Sequence, residues 1–124
     1  MIVEKFRTLR VYQKALDFTK AVRKTTKIFP KDELFGLISQ FRRASDSIVL
    51  NIAEGAGNSS KKEFARFLDF SIRSGFECIG CLDIAIANDY MEKENYEKLL
   101  SDVNEIIAMV YGLKKSLFKT NSIA

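Results

Sequence analysis

The chain has 124 residues, 20 Lys plus Arg against 16 Asp plus Glu, 47% hydrophobic residues, one Pro, two Cys and neither His nor Trp. That length suits one domain with enough apolar surface to build a core. Without histidine there is no Ser-His or Cys-His nucleophile pair, no His-ligated zinc and no imidazole proton shuttle, so a binding or assembly module is expected and an enzyme is not.

Four long segments carry apolar residues at helical spacing, with Gly, Pro, Ser and Asn falling mostly between them, which predicts an all-α fold. The first helix is expected from about Leu9 to Ile28, N-capped by Thr8, with Val11, Ala15, Phe18, Val22 and Phe29 as its core stripe and Phe29-Pro30 as its stop. The second opens near Asp32 or Glu33 and places Leu34, Ile38, Phe41, Ser45, Ile48 and Ile52 on one face. It ends at Gly55-Ala56-Gly57-Asn58, where a left-handed glycine cap is expected. Ser60 and Glu63 read as a capping box for the third helix, which continues to about Asn88 over a seam of Phe64, Phe67, Leu68, Ser71, Gly75, Ile79 and Leu82. In the fourth, from about Glu94 to Lys119, Tyr96, Val103, Val110 and Leu117 recur every seven residues, interleaved with Leu99, Ile106 and Leu113. Such spacing requires near-parallel neighbours, and the short connections force consecutive helices to alternate in direction. The expected product is an antiparallel up-down-up-down four-helix bundle in a single domain over residues 1–124, with helices at about 9–28, 33–55, 60–88 and 94–119.

The N-terminal charges Glu4, Lys5, Arg7 and Arg10 interrupt any run of signal-peptide length, and about 18 consecutive apolar residues occur nowhere. A soluble, cytoplasmic chain with no membrane contact is therefore expected. Cys78 and Cys81 form a C-x-x-C deep inside the third helix, away from the helix N-terminus that would activate a thiolate, so they read as packing residues. Two thiolates alone do not fill a zinc shell, and Glu92, Glu94 and Glu97 are explained by the start of the fourth helix; no metal or cofactor is expected. The aromatics fall mostly on core positions, Tyr90 and Tyr111 least clearly so, which argues against base stacking.

Charge is unevenly placed. Residues 1–31 hold nine Lys or Arg and two acids, a net of +7, whereas residues 32–124 hold eleven and fourteen, a net of −3. At about 100° per residue, Arg10, Lys14, Lys20, Lys24 and Lys27 fall opposite the Val11-Phe18-Val22 stripe, a basic stripe about 25 Å long. A solvated face and a nucleic-acid surface both satisfy that pattern. On the second helix, Gln40, Arg43, Ser47, Asn51 and Glu54 lie opposite Leu34-Phe41-Ile48 and mix donors with acceptors. Turn building, a hydrogen-bonded subunit interface and direct ligand contact are the three uses open to them. Glu54 stands at the negative end of its helix dipole and is expected to find compensation at the amides near Ser59 and Ser60. Small residues at Ser71, Ser74, Gly75 and Gly80 permit close helix approach, while Phe70, Ile72, Leu50 and Leu16 lie off the main seams. A monomeric bundle has no use for these surplus apolar stripes, so a homo-oligomer is expected.

One family shares these features. The segment Ser39-Gln40-Phe41-Arg42-Arg43-Ala44, then Ser47-Ile48 and Asn51-Ile52-Ala53-Glu54-Gly55, followed by Ser60, Glu63-Phe64, Phe67-Leu68, Ser74 and Glu77, resembles the four-helix bundle proteins encoded in intervening sequences of bacterial 23S rRNA genes. The stretch from Phe6 to Ala15 and Phe29-Pro30-Lys31 also match, so the resemblance spans roughly residues 6–90, and the last helix agrees in pattern alone. Val49, Thr8, Tyr12 and Arg73 depart from the usual residues. The resemblance implies a ring-like homopentamer with no established catalytic activity, related to basic pentamers that act with RNA and a reverse transcriptase in diversity-generating retroelements. Five copies of a +4 chain would carry +20, enough to draw in a phosphate backbone without base-specific contact. RNA or DNA is thus the expected partner, with structured RNA preferred and a protein partner as the rival reading.

Overall fold

The computed structural model describes residues 2–57 and 60–119. A 3₁₀ helix over Ile2–Thr8 leads into α1 (Arg10–Thr26), followed by α2 (Ser39–Ala56), α3 (Lys61–Ala87) and α4 (Lys93–Leu117). A 3₁₀ turn, Lys31–Glu33, and a π-helical turn, Leu34–Ile38, connect α1 to α2. The helices pack α1 on α2, α2 on α3, α3 on α4 and α4 back on α1, closing a square. Cross-helix contacts fix the alternating directions: Gln40 meets Glu77 and Gly55 meets Phe64 across α2 and α3, while Lys114 meets Asp69 and Tyr96 meets Asp83 across α4 and α3. This is the all-α four-helix bundle that the periodicities predict.

Its core runs along the bundle axis through Val11, Phe18, Val22, Phe41, Ile48, Ile52, Leu68, Leu82, Leu99, Val103, Ile106 and Val110. Buried hydroxyls tie the helices where apolar contact alone would let them slide. Thr26 Oγ1 donates to the Val22 carbonyl at 2.8 Å and accepts from Arg42 Nε at 2.9 Å, joining α1 to α2. Asn95 Nδ2 donates to Thr25 Oγ1 at 3.0 Å, joining α4 to α1. Among the described residues no buried side-chain nitrogen or oxygen lacks a partner, as the cost of an orphaned polar group demands.

Several local expectations are corrected. Thr8 does not cap α1: the chain is already helical up to it, so its Oγ1 donates to the Lys5 carbonyl at 2.8 Å, and Leu9 takes the cap position without a side-chain bond. Leu34 is 48% exposed and Leu37 takes its core place, because the helical ladder breaks at Gly36 (φ −112°, ψ −111°) before α2 settles into register. Glu33 Oε1 accepts from the Leu37 N–H across this break. The left-handed cap expected at the end of α2 is absent there, since Gly57 is right-handed (φ −76°), while Asn58 lies outside the described residues. Gly55 is instead a contact residue: a Cβ on it would stand 2.8 Å from both Phe64 Cδ1 and Phe67 Cβ.

The left-handed turn occurs after α3, at Asp89 (φ 60°). There the Asp89 and Tyr90 N–H groups bond back to the carbonyls of Ile86 and Ala85, the double bond pattern of a Schellman cap. Ser60 Oγ accepts from the Glu63 N–H at 3.2 Å as foreseen, but the Glu63 carboxylate turns to Arg66. Gly75 lets α4 approach, with Ile107 Cγ1 only 2.6 Å from where a Cβ would sit, whereas Gly80 faces open space and permits no approach. Ile72 is 5% exposed and Leu16 packs on the core, so these two are spent inside the bundle, because α3 and α1 each bury a face wide enough to meet two neighbours. Leu50, at 58%, stays outside.

Candidate functional site

The two polar faces singled out in the sequence end up in different situations. On α1, Arg10, Lys20, Lys24 and Lys27 project into solvent. Arg10, Lys24 and Lys27 form no ion pair among the described residues, and Lys20 has only a loose one, 3.9 Å from Asp17. Lys14 stands on the flank toward α4, half-buried, with its Nζ 3.5 Å from Glu105. On the opposite flank Arg23 is committed to Asp46 of α2 through two bonds of 2.7 and 2.8 Å. Lys14 and Lys20 therefore each stand near an acid, and the charge left without an ion pair among the described residues is that of Arg10, Lys24 and Lys27. Lys98 of α4 lines the grooves beside Lys14 and Lys24 and carries a cation onto the next helix, although Asp102 holds it at 3.1 Å. The sequence gives no sign of Lys98's place, because only the packing of α4 against α1 brings it there.

On α2, the five polar residues divide. Ser47 is a hub: its Oγ accepts from Asn51 Nδ2 and from Ser74 Oγ of α3, both at 2.9 Å. Asn51 Nδ2 also reaches the Ser47 carbonyl at 2.9 Å, and Gln40 Nε2 reaches Glu77 Oε2 at 3.3 Å. One turn away Ser71 Oγ donates to the Ile48 carbonyl at 2.9 Å. Gln40 and Ser47 thus pin α2 to α3 within one chain, while Asn51 holds Ser47 from within α2. Arg43 and Glu54 point outward, and neither has a hydrogen bond or ion pair among the described residues. For Glu54 that removes the compensation expected near Ser60, and Ser59 lies outside the described residues.

Above this seam, a cleft of about 380 Å³ opens between the head of α2 and the middle of α3, lined by Phe35, Gly36, Ser39, Gln40, Arg43, Ala44, Ser47 and Glu77. Phe35 at its mouth is 93% exposed. Exposed aromatics are a minority, but they are not those that spacing leaves least clear: Phe35, Phe76 and Phe118 are exposed as well as Tyr111, whereas Tyr90 leans on Phe29 and donates to Glu33 at 2.7 Å. Helical spacing could not place Phe35, since the break at Gly36 cancels the register that the spacing assumes.

The cysteines behave as packing. Burial first, then the neighbouring Cys81 and the Glu77 and Asp46 carboxylates, push the Cys78 thiol far above its ordinary value, and burial followed by Glu77 pushes the Cys81 thiol up to about 11, so neither is a thiolate at neutral pH. Among the described residues no group of His, Cys, Asp and Glu could hold a metal ion. Glu92 and Glu94 are exposed at the start of α4, and Glu97 pairs with Lys93 at 3.8 Å. No helix among the described residues is long and apolar enough to cross a membrane.

Residues 7–112 match the family of 23S rRNA-intervening sequence proteins, so the family likeness reaches beyond residue 90 and through most of α4. Among solved structures, a protein of unknown function from the S23 ribosomal protein family of Bacteroides thetaiotaomicron VPI-5482 superposes with a TM-score of 0.77 at 25% identity, covering 85% of this chain and 98% of that one. No curated protein matches.

Proposed function

Because the chain belongs to the family of 23S rRNA-intervening sequence proteins, we propose that it is a non-enzymatic, homo-oligomeric nucleic-acid-binding bundle of the cytoplasm that holds structured RNA through the outer face of α1. The observation that carries this reading is the exposed run of Lys20, Lys24 and Lys27, in which only Lys20 has a carboxylate near it and that one at 3.9 Å, with Arg10 exposed and unpaired on the same helix. Lys24 and Lys27 form no ion pair among the described residues and so are free to meet a phosphate backbone. Contacts of this kind position a nucleic acid without reading its bases. A histidine-free chain whose described residues offer no metal cluster gives no support to an enzymatic reading.

Assembly into a homo-oligomer, with a pentamer as the expected number, is supported by apolar surface left open after the bundle closes. Leu50, Phe76, Ile84 and Tyr111, on three different helices, are half-exposed or more and would be covered by neighbouring copies. Light scattering should give a mass several times 14.1 kDa. A monomer at micromolar concentration would defeat the oligomeric reading.

RNA binding measured at two salt concentrations tests the rest. Each duplex phosphate neutralised should add about −0.9 to the slope of log K against log salt. Ile28, 66% exposed in a groove shared with Lys24, favours a second reading, a protein-assembly adaptor. Wild-type protein that binds neither RNA nor DNA at low salt would move the adaptor reading into first place.

A further inference from the structure

The cleft at the head of α2 is not used by the phosphate-binding face, and its lining has a chemistry of its own. Phe35 offers a whole ring to solvent, with no aromatic or cationic partner on it among the described residues. Ser39, Arg43 and Ser47 follow at four-residue intervals along the same wall, so a hydroxyl, a guanidinium and a second hydroxyl stand one above another on one side of the helix. The opposite wall supplies the Glu77 carboxylate, which already accepts from the Gln40 amide at 3.3 Å. Arg43 stays unpaired although Glu77 lines the same cleft. The helix breaks where the cleft begins, at a π-helical turn, a feature that recurs at functional sites.

We propose that this cleft receives an unpaired nucleotide of a single-stranded RNA segment, its base stacked on Phe35, its phosphate held by Arg43, and its base edge met by Glu77 and Gln40. Each element of the lining then has a use. A free ring is a sequence-tolerant stacking platform, a guanidinium fork matches phosphate oxygens, and a carboxylate accepts from ring or exocyclic N–H groups. A simple anion would leave Phe35 idle, and an apolar anchor would leave Arg43 buried beneath it without a partner. The volume, about 380 Å³, lies within the range of small-ligand sites. The proposal rests on the nucleic-acid reading and adds to it a preference for unpaired segments, such as loops, over continuous duplex.

The test uses the full chain at low salt, with a short fluorescent single-stranded RNA and a blunt duplex as probes. Phe35→Ala should weaken single-strand binding about tenfold, the scale of losing one stacked base, while duplex binding changes less than about twofold. Phe35→Trp should restore the affinity, and Arg43→Gln should reproduce the loss. Lys20→Glu with Lys24→Glu should weaken both probes. If the Phe35 and Arg43 variants bind the single strand as wild type does while the double lysine variant fails on both, the cleft proposal falls and the α1 reading stands. If wild type binds neither probe, both fall. A drop in oligomer mass for Phe35→Ala would reassign the cleft to a second copy of the chain. Release of the strand by micromolar nucleoside monophosphate would reassign it to a free nucleotide.

Discussion

The outer face of α1 and the flank of α2 that meets α3 are both polar, yet they do opposite work. On α2 the polar groups are short, uncharged and mutually bonded, and Ser47 alone joins Asn51 to Ser74 across two helices. On α1 they are long, cationic and mostly without partners. Hydroxyls and amides can satisfy one another in a tight seam at small entropic cost, whereas lysines cannot be buried together and stay out in water. Polar pattern alone therefore does not mark a binding face. Which groups remain unsatisfied after the chain has folded does.

That contrast is broken most severely by filling the α2–α3 seam. Gly55→Val places its first carbon 2.8 Å from Phe64 and Phe67 and must push the two helices apart, at a cost of about 3 kcal/mol in unfolding free energy, seen as a lower denaturant midpoint. Ser47→Ala comes next. It leaves the Ser74 hydroxyl, 8% exposed, without its acceptor and should lose about 1 to 2 kcal/mol, with thermal unfolding as the measure. Loss of stability below 0.5 kcal/mol for Ser47→Ala would make this flank as dispensable as a solvated surface.

Smaller effects sharpen the comparison at the helix ends. Asp89→Gly relieves a left-handed residue in the α3 cap and should gain about 0.5 to 1 kcal/mol. The hydrogen bond from Tyr90, and after it the Leu37 N–H, hold the Glu33 carboxyl below its ordinary value. Its contribution is therefore complete above the carboxylate range of the unfolded chain and is lost as pH falls through the lower folded value. Tyr90→Phe should move that acid loss to higher pH, read as melting temperature against pH. The smallest change in stability belongs to α1. Lys20→Glu with Lys24→Glu touches no core or seam residue and should alter stability by less than about 0.5 kcal/mol.

Much of this was legible in the sequence. The apolar stripes of α1 and α4 placed Val11, Phe18, Val22, Leu99, Val103, Ile106 and Val110 in the core, because both helices are regular along the stretch that packs. Leu34, Leu37 and Phe35 were not legible, since a break in the helical ladder shifts every side chain before it and leaves no periodic trace. Ile72 looked surplus because α3 meets neighbours on two sides, and a single seven-residue seam underestimates that width. The basic face of α1 followed from angle alone. The pairing of Lys14 did not, since Glu105 comes from a helix some ninety residues away in the chain. The role of Ser47 needed the same kind of distant partner, Ser74.

The most direct test of the α1 reading is RNA affinity at two salt concentrations for wild type and for the Lys20→Glu, Lys24→Glu variant, with oligomer mass recorded on the same samples. Wild type should bind with a steep salt dependence, and the variant should keep its mass and stability while losing affinity equally for unrelated RNA sequences. An intact variant that binds RNA as tightly as wild type would contradict the account.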